Sequence, residues 1–103
     1  MKMANYGKLL ISIEKVEIKE GDLTIDIKMK NNASVQTIIF PDEEIRLIAD
    51  DEIIALQNYK IENNLDIGQE SRGKLFFKIQ KKPKKMVLQF GKLSMPKTNI
   101  ELQ

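Results

Sequence analysis

Between Leu23 and Lys30 the chain alternates without a break: Leu23, Ile25, Ile27 and Met29 are separated by Thr24, Asp26, Lys28 and Lys30. A strand turns successive side chains to opposite faces, so this stretch is read as a half-buried β-strand with one dry side and one wet side. A helix would scatter the same four residues around its circumference. The pattern recurs upstream, where Ile11 and Ile13 share one phase and Val16 and Ile18 resume out of step. That slip places a β-bulge at Glu14 and Lys15, inside a first strand from about Lys8 to Lys19. Glu20, Gly21 and Asp22 supply a tight turn in which Gly21 can take a positive φ, and the two strands are expected to pair antiparallel.

Further along, Val35 to Phe40 is expected as a strand ending at Pro41. Pro41-Asp42-Glu43-Glu44 could open a helical turn, but Ile45, Leu47 and Ala49 alternate and favour a strand up to the acidic turn Asp50-Asp51-Glu52. Ile53 to Leu56 continues it, and Asn58, Asn63 and Asn64 mark an exposed loop. Leu75, Phe77 and Ile79 face one way and Lys74, Phe76 and Lys78 the other. Lys81-Lys82-Pro83-Lys84-Lys85 then reads as a hairpin tip into a core strand of Met86, Leu88 and Phe90, paired with the strand before it. Ile100 and Leu102 give a short edge strand after Pro96.

Short strands between turn signals, with no sustained apolar stripe of helical period, point to an all-β chain. The expected architecture is an immunoglobulin-like antiparallel β-sandwich of seven or eight short strands, with a small open barrel as the alternative. The 103 residues make one domain, 1–103. A domain of this size buries roughly 60 to 65% of the surface its unfolded chain exposes, enough to fold without staples.

Composition narrows the function. Cysteine and histidine are both absent, which removes thiolate chemistry, the usual general base near neutral pH and the commonest transition-metal ligand. No catalytic constellation, metal site or cofactor is expected, and an enzyme is disfavoured. The net charge of +2 exerts no whole-molecule pull towards nucleic acid or anionic membrane. No apolar run approaches the roughly 20 residues needed to span a bilayer, and Leu9 to Ile13 is too short for a signal-peptide core.

Three groups of residues are candidates for contact. Lys81, Lys82, Lys84 and Lys85 could meet an anionic polymer or an acidic partner, against the plain reading of a solvated turn. They lack the interleaved aromatics that stack bases, so nucleic acid is disfavoured. Asp42, Glu43 and Glu44, with Asp50, Asp51 and Glu52, offer hard oxygen ligands for calcium, but the two clusters bracket one strand and lie too far apart to share an ion. Phe76 opposes Leu75 and Phe77, and if it stands outside near Ile48 and Val87 it marks an apolar contact for a protein partner or a homodimer.

The run Leu65-Asp66-Ile67-Gly68-Gln69-Glu70-Ser71-Arg72-Gly73-Lys74-Leu75-Phe76-Phe77, followed by Lys82-Pro83 and Met86-Val87-Leu88-Gln89-Phe90, resembles the telokin-like, immunoglobulin-like domain of unknown function in bacterial secreted proteins and lipoproteins. In that family a glycine-led turn precedes a strand ending in Phe, a proline-containing turn follows, and a last core strand closes the sheet. Leu23 to Asn32 and Phe40 to Asp51 extend the likeness, which covers about residues 8 to 91. The resemblance implies an accessory binding or scaffolding module, not a reaction, and an extracytoplasmic setting. A more distant similarity, to a bacterial intracellular proteinase inhibitor family, implies a cytosolic inhibitor or adaptor instead. A polyanion-binding domain using the lysine segment is the third alternative.

Overall fold

The computed structural model describes residues 2–102. They form an all-β chain with antiparallel sheets, an arrangement compatible with a β-sandwich. Five strands make the larger sheet: β1 (Lys2–Tyr6), β2 (Leu9–Lys19), β3 (Asp22–Asn31), β9 (Glu70–Lys78) and β7 (Asn58–Lys60), in the order β1-β2-β3-β9-β7. Four make the second: β11 (Thr98–Glu101), β10 (Met86–Phe90), β5 (Ile45–Ala49) and β6 (Glu52–Ala55), in the order β11-β10-β5-β6. A two-stranded ribbon joins β4 (Thr37–Ile38) to β8 (Asn64–Leu65).

The alternation seen in the sequence becomes the core. Leu23, Ile25, Ile27 and Met29 are buried, and so are Leu9, Ile11 and Ile13 beside them on β2 and Leu75 and Phe77 on β9. From the other sheet come Ile45 and Leu47 of β5 and Met86, Leu88 and Phe90 of β10, all in the same cluster. The β2–β3 register slips between Ile13 and Lys15, so the bulge falls at Glu14. Gly21 has φ of +84° in the β2–β3 turn, behind Glu20 at +51°, the paired positive values of a tight hairpin.

Several expectations are corrected. The described residues hold eleven strand segments instead of seven or eight, because pairings of two to five residues are too short to show as alternation. One of these is β1, whose Lys-Met-Ala-Asn-Tyr sequence carries little β signal and which forms because β2 is long enough to offer it an edge. Residues 35–40 supply only the two residues of β4, and the stretch around Asn58 to Asn64, expected as loop, contains β7 and the start of β8. Pro41–Glu44 does form a helical turn, α1, since Pro41 at its first position needs no backbone donor. The glycine turn ahead of β9 falls at Gly68, with φ of +75°, and Gly73 lies inside the strand. A Cβ there would sit 2.3 Å from the Lys60 carbonyl oxygen, so glycine admits the close passage of the β7 end.

The largest correction concerns residues 81–85. β10 pairs with β5 and β11, not with β9, so this segment is a crossover between sheets and not a hairpin tip. Alternation tells which side of a strand is dry, and it is silent on which sheet the strand will join.

Candidate interaction surface

At its 3.3 Å rise per residue, the eleven-residue β2 is about 36 Å long, so the strands follow the 41 Å axis of a molecule measuring 41 × 27 × 22 Å. Its two ends differ sharply in chemistry.

One end carries the turns at Glu20-Gly21, Asp50-Asp51 and residues 80–85. The backbone N–H of Ile79 donates to the Gly21 carbonyl at 2.9 Å, which ties two of these turns together. The Asp50 carboxylate accepts from the backbone N–H groups of Lys84 (3.0 Å) and Lys85 (2.9 Å), and the Asp50 N–H returns a bond to the Lys85 carbonyl. Pro83 is buried. Lys81, Lys82, Lys84 and Lys85 all project into solvent, as the sequence expects, but Asp50, Asp51 and Glu52 share the same end. This end is polar and mixed in sign.

The opposite end gathers the Gly7-Lys8 turn, residues 32–40, α1, the turn at Ile67-Gly68 and the loop 91–97. Backbone bonds run from Asn32 to Lys8, from Gly68 to Asn31 and from Gly91 to Glu44. Asn31, fully buried, pins it. Its amide donates to the carbonyls of Val35 (3.0 Å), Leu65 (3.0 Å) and Asp66 (3.2 Å), and its oxygen accepts from the Ala33 N–H (2.9 Å) and the Thr37 hydroxyl (3.2 Å). Glu44, also buried, accepts from the Tyr6 hydroxyl at 2.5 Å and the Phe40 N–H at 2.6 Å. Burial, then the hydrogen bond to the Glu44 carboxylate and its charge, push the Tyr6 phenol well above its usual range, with Arg46 opposing. The buried Arg46 guanidinium binds the Gln89 side chain (2.8 Å) and the carbonyls of Glu43 (3.0 Å) and Gly91 (2.6 Å).

On this braced end stand Val35, Ile38, Phe40, Ile67, Leu93 and Met95, six of the eight large hydrophobic side chains exposed among the described residues. Leu93 is 85% exposed. The Lys92 ammonium lies 5.5 Å from the Phe40 ring centroid. The loop 91–97 is held in shape by Lys97, whose ammonium donates to the carbonyls of Leu93 (2.8 Å) and Met95 (2.5 Å). Each of these residues is visible in the sequence, but nothing there tells that their loops converge.

The remaining candidates are dispersed. Phe76 is half-buried on the outer face of the larger sheet, in a row with Thr24 and Asn58, beside a shallow hollow of about 610 Å³. Ile48 and Val87 pair on the outer face of the other sheet, so the three form no common patch. Around Phe76 the face is tiled by its own ion pairs, Lys74 with Asp26 (2.8 Å), Arg72 with Glu14 (3.1 Å), Lys28 with Glu70 (3.4 Å) and Lys78 with Asp22. The two acidic clusters flank β5 at opposite ends. Two of their carboxylates already have structural work: Glu44 braces the apolar end and Asp50 holds the lysine segment. Among the described residues no group of three or more acidic side chains could hold a metal ion, and no helix is long and apolar enough to cross a membrane.

No protein-family model matches this chain, and no curated protein matches it. Among solved structures, a functionally unknown protein from Listeria monocytogenes EGD-e is similar in fold, with a TM-score of 0.70 at 14% sequence identity over 98% of this chain and 81% of that one. The likeness extends to the fold alone.

Proposed function

We propose that the chain is a non-enzymatic binding module of immunoglobulin-like type, an accessory domain of a bacterial extracytoplasmic protein that contacts a protein partner through the end built by residues 32–44 and 91–97. The observation that carries this reading is the collection of six exposed large hydrophobic side chains on one rigidly braced end, while the other end and the larger sheet's outer face present charge. Soluble monomers rarely expose contiguous apolar patches beyond a few hundred Å², and larger ones mark contact sites. The resemblance to the telokin-like domains supports the module class and the extracytoplasmic setting.

A photo-activated cross-linker placed at Leu93 tests this in a cell-envelope fraction. Protein adducts are expected from position 93 and should be lost when Phe40 and Ile67 are changed to Ser. Equal capture from a cross-linker at Lys82 would argue against it.

A second reading, polyanion binding by Lys81, Lys82, Lys84 and Lys85, is favoured by the exposure of all four on one segment. Its test is salt-sensitive retention on heparin that disappears when the four become Ser.

A further inference from the structure

We propose that the apolar end pairs with a second copy of this chain, end to end about a two-fold axis. The inference rests on the reading of that end as the contact surface and names its occupant. A two-fold contact requires a patch complementary to itself, with each projection matched by a recess and each charge by its opposite on the same surface.

Both conditions are met around the loop 91–97. Leu93 projects beside a hollow of about 480 Å³ lined by Asp42, Glu43, Arg46, Lys92 and Ser94 as well as its own flank. A projection next to a hollow roomy enough to receive it is the arrangement in which two copies can seat against each other reciprocally. The rim carries both signs: Asp42 and Glu43 on α1, Lys92 on the loop. None of the three forms an ion pair with another described residue, in contrast to the internally matched charges of the larger sheet. Turned about a two-fold axis, Lys92 of one copy faces Asp42 and Glu43 of the other, twice per contact.

The area fits as well. The end spans the two shorter axes of the molecule, 27 × 22 Å. A footprint within that outline is on the order of 500 to 600 Å², at the lower end of what each partner contributes to a specific interface. Because the apolar side chains stand on separate loops tied down by Asn31, Glu44 and Lys97, little order has to be imposed on binding.

Sedimentation equilibrium of the purified chain across about 1 μM to 1 mM tests the proposal. The expected result is a reversible monomer–dimer equilibrium, weakened about tenfold or more by Leu93→Ser, a change at an exposed position that leaves the fold intact. Lys92→Glu should weaken it about tenfold, as should Asp42→Lys with Glu43→Lys, and an equimolar mixture of these two variants should recover dimers of mixed composition. A wild-type chain that stays monomeric throughout overturns the proposal. So does a Leu93→Ser chain that dimerises as well as wild type, or a mixture no more associated than its parts. A monomeric chain whose position 93 still cross-links to a different protein would remove the pairing and leave the binding reading standing. Absence of adducts from position 93 would remove the reading itself.

Discussion

The Tyr6 hydroxyl donates to the Glu44 carboxylate at 2.5 Å, joining the edge strand of the larger sheet to the helical turn that leads into the smaller one. The other carboxylate oxygen accepts from the Phe40 N–H, and the Tyr6 ring meets the Phe90 ring with centroids 5.7 Å apart. Glu44 thus holds β1 and the start of α1 to one point. Glu44→Ala leaves both donors without their acceptor and is expected to cost about 2 kcal/mol in urea denaturation, whereas Tyr6→Phe, which removes one donor cleanly, should cost about 1 kcal/mol.

The same contact sets a pH dependence. The Tyr6 phenol is held above its ordinary value of 10.0, first by burial and then by Glu44. Above that value the unfolded chain gives up the phenolic proton while the folded chain keeps it, so stability falls as pH rises. The contribution is complete below the unfolded value and is lost progressively upward towards the folded one. The stability gap between wild type and Tyr6→Phe should therefore be constant from pH 7 to 9 and narrow above about pH 10. A gap that widens there would contradict the assignment.

Asn31 presents a different test, because its amide faces three carbonyls and its oxygen faces two donors. Asn31→Ala strands several buried backbone groups and is expected to cost about 2 to 4 kcal/mol. Asn31→Asp should cost more than Ala despite its closer shape, since it turns a carboxylate oxygen towards three carbonyls. Thermal denaturation of the two variants side by side orders them.

Asn31 also marks where the sequence stops being informative. It stands next to Asn32, and both read as turn formers, yet one is fully buried and saturated with bonds while the other is exposed. What separates them is the arrival of residues 35 and 65–66 from elsewhere in the chain. The strands with one dry and one wet face were legible, because Leu23 to Met29, Leu75 to Phe77 and Met86 to Phe90 must turn the same side inward whatever their neighbours. Their neighbours were not. Local alternation is blind to whether Lys81 to Lys85 closes a hairpin or crosses between sheets. It is equally blind to Phe40, Ile67 and Leu93 meeting at one end, since each belongs to a separate loop with no period of its own.

Gly73 tests close backbone approach. A methyl group there would lie 2.3 Å from the Lys60 carbonyl oxygen and 2.6 Å from Ile61 Cγ2, and the nearer of these is backbone that can yield only by moving β7. Gly73→Ala is expected to destabilise the chain by about 2 to 3 kcal/mol and to speed amide exchange in Asn58–Lys60 before the rest of the larger sheet. Protection unchanged in that segment would show that β7 is not held by the approach at Gly73.

The crossover at residues 81–85 yields the last prediction. Asp50 and Asp51 both take positive φ, +49° and +70°, where aspartate is better tolerated than most residues, and the Asp50 carboxylate organises the lysine segment through backbone N–H groups. Its bonds to this segment run through the main chain. Changing Lys81, Lys82 and Lys85 together to Ser should therefore leave stability within about 0.5 kcal/mol of wild type, as expected for exposed positions. Asp50→Ala removes the acceptor and places a residue without a polar side chain in a left-handed conformation, so it should cost about 2 kcal/mol and loosen amide protection at Lys84 and Lys85. Asp50→Asn keeps the conformational tolerance and one acceptor oxygen and should fall between the two. Denaturant midpoints in that order would establish that the crossover is fixed by a carboxylate reading backbone, with Lys81, Lys82 and Lys85 contributing little.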